Sequence, residues 1–273
     1  MRLKQHFYRL SFPLAWRTAL ETVKAKYKTA IVTGGSSGIG LAIARRLNAE
    51  GYRLGLIARG QERLQLAANT ISNDVCWYQA DLGLRAEVEA AVAYLAKELG
   101  QIDVLVNNAG GVRPVSAGMV LSEAEQAWDD VIKTSLKSTF LTTLAAIPYL
   151  VRPGGRIINM GSIAARSGSR RPGGLAYAAA KAGIEGFSSS LARELAADGI
   201  TVNTIAPGLI AHTHFFGDEG ISRETLTSIV SEIPVARAGE PEDIAAVVAW
   251  LADGNSSFVT GTVIPVNGGW RIG

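Results

Sequence analysis

The 273-residue chain is 48% apolar and 19% charged, a composition that suits a large buried core and argues against intrinsic disorder. Its net charge of +3 is local: residues 1–28 hold seven Lys/Arg against Glu21 alone, or +6, which leaves −3 for the rest and gives no reason to expect a nucleic-acid partner. Cys76 is the single cysteine, so no intramolecular disulfide can form and a cytoplasmic setting is expected.

Residues 1–28 read as a basic N-terminal extension in which cations are mixed with large apolar groups such as Leu3, Phe7 and Tyr8. That mixture suits a plain extension, and equally a contact with an anionic membrane surface or a partner subunit. Pro13 interrupts it, and no apolar run approaches the ~20 residues of a membrane span. From Thr29 onward, short apolar runs at 29–33, 53–58, 75–79, 104–107, 155–160, 200–205 and 263–266 predict strands. Stretches of helical period at 40–50, 61–70, 85–99, 122–150, 176–198 and 241–252 predict the helices between them. The alternation predicts an α/β fold: one doubly wound parallel sheet of about seven strands with helices on both faces, in a single domain over 29–273. Residues 207–233 are the least regular stretch and follow a strand end, which makes them the candidate substrate lid. Cys76 lies in the apolar run Val75–Tyr78 and reads as a buried structural thiol.

Gly34, Gly38 and Gly40 stand directly after the first strand and at the opening of the first helix, with Ser36, Ser37 and Ile39 between them. Glycines there let the chain turn tightly and approach a pyrophosphate, whose charge the N–H groups and dipole of the helix favour. At the end of the second strand stands Ala58, followed by Arg59, where an NAD-binding chain commonly carries an acid. Arg59 suits the 2′-phosphate of NADP(H) in preference to NAD(H), and its other reading is stacking on the adenine. Tyr177 and Lys181 are four apart among strong helix formers and so leave one helical face. A nearby ammonium favours the phenolate, which equips Tyr177 to exchange a proton with a carbonyl or alcohol oxygen. Ser162 follows the fifth strand, placed to hold that oxygen.

The Thr33-Gly-x-x-x-Gly-Ile-Gly40 motif, with Ser162, Tyr177 and Lys181, resembles the short-chain dehydrogenase/reductase family from about Lys28 to Gly269, most closely its 3-oxoacyl-carrier-protein reductase branch. The resemblance implies a Rossmann-type domain and a nicotinamide-dependent oxidoreductase that interconverts a ketone and a secondary alcohol. It also implies that Ser162, Tyr177 and Lys181 are catalytic, with Tyr177 and Lys181 also on the nicotinamide ribose. Asp81 and Leu82, with Asn108, Ala109 and Gly110, match its adenine-contacting and sheet-stabilising elements. Pro207, Gly208 and Ile210 match its nicotinamide-contacting loop. The family's catalytic Asn is replaced by Ser135, whose hydroxyl or carbonyl is expected to hold the relay water on the lysine. In place of the usual threonine two residues beyond Ile210 stands His212.

Val112, Ile163, Leu209, His212, His214, Phe215 and Phe216 are the expected substrate pocket, and no metal site is expected, because two histidines in a loop lack further ligands. The substrate is a small-molecule carbonyl or alcohol: a 3-oxoacyl thioester, or another ketone. The alternative is a nicotinamide-binding sensor or scaffold without turnover. Apolar surface on the fourth and fifth predicted helices implies a homo-oligomer, a tetramer or a dimer.

Overall fold

The aliphatic runs fold as seven parallel strands: β1 (Thr29–Thr33), β2 (Arg53–Ala58), β3 (Cys76–Gln79), β4 (Val104–Asn107), β5 (Arg156–Met160), β6 (Thr201–Pro207) and β7 (Val263–Val266). They form one sheet in the order β3-β2-β1-β4-β5-β6-β7. This computed structural model describes residues 27–170, 172–213 and 222–272. Most of the basic extension, the centre of the 207–233 stretch and the pocket candidates His214, Phe215 and Phe216 lie outside the described residues.

Period-two alternation divides the strands between two cores. Ala30, Val32, Leu54 and Leu56 face Ile43 and Leu47 of α1 (Gly38–Ala49), Leu64 of α2 (Gln61–Ile71), and Ile244 and Val248 of α9 (Pro241–Ala252). Ile31, Ile57, Leu105 and Ile157 face the other way, onto Val92 and Leu95 of α3 (Arg85–Leu99) and Leu191 and Leu195 of α7 (Leu175–Leu195). Each such buried side chain contributes roughly 1.5–3 kcal/mol of transfer free energy. The strand order reverses between β1, which pairs with both β2 and β4, and β4 itself. A crevice therefore opens at their carboxyl ends, where ligands bind in open α/β sheets.

Three departures from the sequence pattern matter. The helix expected over 122–150 is interrupted: α4 (Leu121–Val131) passes through a π-helical turn, Ile132–Lys137, before α5 (Ser138–Ala146) and a 3₁₀ turn, Ile147–Tyr149. Hydroxyls explain the break, since Thr134 Oγ1 donates to Asp130 O at 2.7 Å, Ser138 Oγ to Thr134 O at 2.7 Å and Thr139 Oγ1 to Ser135 O at 2.9 Å. Such back-bonding competes with the helical ladder, and π-bulges gather at functional sites. Within 207–233, β6 continues to Pro207 and α8 (Arg223–Val230) forms after Ser222, whose hydroxyl caps Thr225 N–H. Cys76 is half-buried on β3 rather than sealed in the core, because among the described residues no strand pairs beyond β3.

Candidate active site

The turn after β1 is built around close backbone approach. A β-carbon on Gly40 would lie 2.1 Å from Gly34 O and 2.5 Å from Asn108 Nδ2, while Gly34 and Gly38 take φ of +65° and +50°. The opening of α1 has neither a side-chain cap nor an acid in its first turn, so its N–H groups and positive dipole end are left for an anion. A dinucleotide pyrophosphate fits this cradle, and Gly34, Ser36, Ser37, Gly38, Ile39 and Gly40 would hold it. Thr33 and Asn108 stitch the loop to β4: Thr33 Oγ1 accepts the N–H of Asn108 and of Ala109, each at 2.9 Å, and Asn108 Nδ2 donates to Thr33 O at 3.0 Å. Gly40→Ala is expected to destabilise the fold by roughly 2–3 kcal/mol. It should also weaken dinucleotide binding at least about tenfold, measured as thermal midpoint and cofactor titration.

At the adenosine end, Arg59 is exposed and lies close enough to Asp81 for its charge to help lower the carboxyl pKa. Asp81 lies at the end of β3, its carboxylate accepting from Gly83 N–H at 2.9 Å and pairing with Lys133 at 2.9 Å. Burial acts to raise the Asp81 pKa, but those two partners outweigh it and hold the carboxyl below its usual range. Leu82 sends its side chain into the core, so only its backbone is free to face a ligand.

At the chemical end, Ser162 follows β5 and Tyr177 and Lys181 leave the first turns of α7. The Ser162 hydroxyl hydrogen-bonds the Tyr177 phenol. Lys181 Nζ is buried, donates to Met160 O at 2.7 Å and sits 5.6 Å from the Tyr177 ring centre. Burial pushes the Tyr177 pKa up, opposed by Ser162, and lowers the Lys181 pKa to about 8. Ser162 is the group that opposes burial at the phenol. A raised value keeps the phenol protonated near neutrality, the form that donates to a developing alkoxide.

Ser135 takes a different part from the one its position suggested. It is fully buried in the π-turn, where its hydroxyl accepts from Gly111 N–H and donates to Gly111 O, both at 3.2 Å. Its carbonyl already receives Ser138 Oγ at 3.0 Å and Thr139 Oγ1 at 2.9 Å. Both groups expected to hold a relay water are thus engaged within the protein. Ser135 nevertheless flanks the centre: a β-carbon on Gly110 would lie 3.4 Å from its hydroxyl and 3.7 Å from Lys181 Nζ.

Residues 34–271 match the family model described as Enoyl-(Acyl carrier protein) reductase. The chain is 40% identical over 247 residues to the 3-oxoacyl-[acyl-carrier-protein] reductase of Staphylococcus aureus (strain Mu50), covering 89% of this chain and 97% of the relative. The corresponding reductase of Haemophilus influenzae is 36% identical over 243 residues, covering 89% and 97%. Nodulation protein G of Rhizobium meliloti (strain 1021) is 38% identical over 246 residues, covering 90% and 97%. The chain belongs to the short-chain dehydrogenase/reductase family. As a member it is an oxidoreductase acting on a CH–OH/C=O pair with a nicotinamide cofactor. The sensor or scaffold alternative finds no support.

The remaining positions distribute unevenly around the short-chain dehydrogenase/reductase crevice. Pro207 and Gly208 end β6 beside the fifth-strand loop, where Ile163 N–H donates to Pro207 O at 3.1 Å. The following segment reaches the glycine loop, since a β-carbon on Gly38 would meet the Thr213 methyl at 3.6 Å. Leu209 and Ile210 are 7% exposed, Ile210 in the core beside Gly239, so neither side chain lines an open pocket. His212 takes a left-handed φ of 53° and turns its exposed ring toward Glu240 at 3.7 Å, away from the role of pocket wall. Val112 is exposed and Ile163 half-buried. Sequence reading missed two features. Arg170 pairs with Glu232 and stacks on Trp270 at 5.1 Å, linking the loop before α7 to the segment after α8 and to the tail. Behind the centre, Asn107 Nδ2 donates to Asn159 Oδ1 and Thr143 Oγ1, and Asn159 Nδ2 to Ser188 Oγ, each at 2.8 Å. No spacing signal announces either one, because the partners come together only in three dimensions. Among the described residues no His, Cys, Asp or Glu group of three is placed to hold a metal.

Proposed function

We propose that this enzyme is an NADPH-dependent reductase of 3-oxoacyl thioesters, with Tyr177 as proton donor, Ser162 orienting the carbonyl and Lys181 holding the nicotinamide ribose. The observation that carries the reading is the Ser162–Tyr177 pair beside buried Lys181, in a chain 35–40% identical to 3-oxoacyl-[acyl-carrier-protein] reductases. When bound, the nicotinamide supplies the hydride. The phenol of Tyr177 gives its proton to the carbonyl oxygen, which Ser162 steadies. Buried Lys181 keeps its ammonium beside the phenol, anchored by Met160 O. Ser135 fixes Gly111, and through it the loop after β4. Pro207 and Gly208, with the backbone of Ile210, would hold the nicotinamide end of the cofactor.

Arg59 supports NADPH over NADH, because an exposed guanidinium matches a 2′-phosphate and Ala58 stands where an acid would repel one. Arg59→Asp is expected to raise the KM for NADPH by about 10–100-fold, the size of a lost charge-assisted hydrogen bond, and to narrow the gap to NADH. The catalytic unit is one domain over 29–273, with the extension before it and the 207–233 stretch over the substrate. A homo-oligomer, a tetramer or a dimer, is supported by the exposed Trp128, Phe140 and Leu144 along α4 and α5. A cytoplasmic setting fits a lone cysteine, and no described helix is long and apolar enough to cross a membrane.

The test follows nicotinamide absorbance with NADPH and NADH over 3-oxoacyl thioesters, other ketones and a 2-enoyl thioester. Turnover of 3-oxoacyl thioesters that prefers NADPH supports the reading. Turnover confined to the enoyl substrate, as the family model's description would suggest, or to unrelated ketones sinks it.

A further inference from the structure

We propose that Lys133 is a cofactor-positioning residue, the arm of a π-helical turn that fixes the Asp81 carboxylate on the adenosine side while the turn grips the loops after β3 and β4 together. The inference rests on the nicotinamide-cofactor reading and deepens it at a residue no motif reveals. Three consecutive side chains of the turn reach in two directions. Lys133 pairs with Asp81 at 2.9 Å, and its stem lies flat on Gly83: a β-carbon there would come within 2.4 Å of Lys133 Cε and 2.5 Å of Cγ. Thr134 presses on Gly111, where a β-carbon would lie 2.9 Å from its hydroxyl oxygen, and Ser135 holds both backbone groups of the same glycine. One turn therefore grips the loop after β3 and the loop after β4 together.

The geometry explains why a lysine serves here. Asp81 Oδ1 accepts from Gly83 N–H and Oδ2 from the ammonium, which fixes the plane of the carboxylate. Each carboxylate oxygen keeps a second lone-pair site, enough to accept from the exocyclic amine of an adenine. The backbone N–H of Asp81 is held independently by Glu87 Oε2 at 2.7 Å, so Lys133 governs the side chain and not the strand end.

The experiment uses the full-length enzyme and three variants: Lys133→Met, which keeps a stem over Gly83 without the charge, Lys133→Arg, which restores it, and Lys133→Ala. NADPH affinity is read by fluorescence titration, and turnover is followed with NADPH and with reduced nicotinamide mononucleotide, which has no adenosine. Lys133→Met should raise the Kd and KM for NADPH about tenfold, the scale of one charge-assisted hydrogen bond partly open to water. At saturating NADPH its kcat should fall less than about twofold, Lys133→Arg should recover most of the affinity, and kcat/KM for the mononucleotide should be unmoved. Unchanged NADPH affinity in Lys133→Met overturns the inference, and so does an equal loss with the mononucleotide, which would mean general damage to packing. Wild-type protein that binds no NADPH at all would sink the cofactor reading itself, a result separable from normal wild-type binding with no effect at Lys133.

Discussion

Tyr177→Phe should lower kcat by about 10³-fold, within the range that a positioned general acid supplies, while NADPH affinity stays within roughly threefold. The variant removes a single oxygen from a half-buried ring whose packing against Ala176, Ala180 and Val131 remains. Burial pushes the phenol pKa up, so the proton-donating form dominates at neutral pH and reduction should run with little pH dependence there. The reverse reaction needs the phenolate, and its rate should climb with pH. Stopped-flow measurement in both directions checks this: a reduction rate that rose with pH through neutrality would mean that another group donates the proton.

Lys181→Met should cost a comparable factor in kcat, on the order of 10²–10⁴, because it removes the cation buried beside the phenol. It also carries a stability signature with a definite sign. Burial lowers the ammonium pKa to about 8 in the folded, cofactor-free protein, against an ordinary value near ~10.5 in the unfolded chain. Between those values the unfolded state binds more protons, so this group's contribution to stability rises as pH goes from about 8 toward ~10.5. Below about pH 8 both states are charged and the burial penalty is fully present. The wild-type thermal midpoint minus that of Lys181→Met should therefore increase across that alkaline window. A difference flat with pH would mean that Lys181 titrates normally.

Much of the architecture was legible in the sequence because parallel strands buried on both faces advertise themselves as aliphatic runs. The bounds of β1, β2, β4, β7, α3 and α9 agree with those runs residue for residue, since Gly, Pro or a change of period punctuates each end. The helix over 122–150 misled because its apolar period is continuous, while the break comes from hydroxyls that capture backbone carbonyls, a competition that periodicity does not register. In the site, Gly34–Gly40 and the Tyr177–Lys181 spacing are local and readable. The partners of Ser135, Lys133 and Arg170 are 24, 52 and 62 residues away in sequence, so composition and spacing could not place them. The substrate side was least legible: Leu209 and Ile210 turned inward, and His212 turned toward Glu240, because a β6 that continues to Pro207 shifts where the chain leaves the sheet.

The reversal of strand order between β1 and β4 bears on how the enzyme assembles. The chain lays down β1, β2 and β3 as a contiguous block, and β4 through β7 as a second, and within the sheet the two blocks pair along the β1–β4 seam, across some 74 residues of intervening sequence. Neither half owns the crevice. The glycine loop belongs to the first block, the hydroxyls of Ser162 and Tyr177 to the second, and Asn108 with Thr33 is the rivet between them. A dinucleotide lying along that seam is in effect a crosslink applied last. Its saturation at a hundred times Kd would add about 2.7 kcal/mol to the joined state alone, so cofactor binding tightens the junction between the early-made glycine loop and the block made after it.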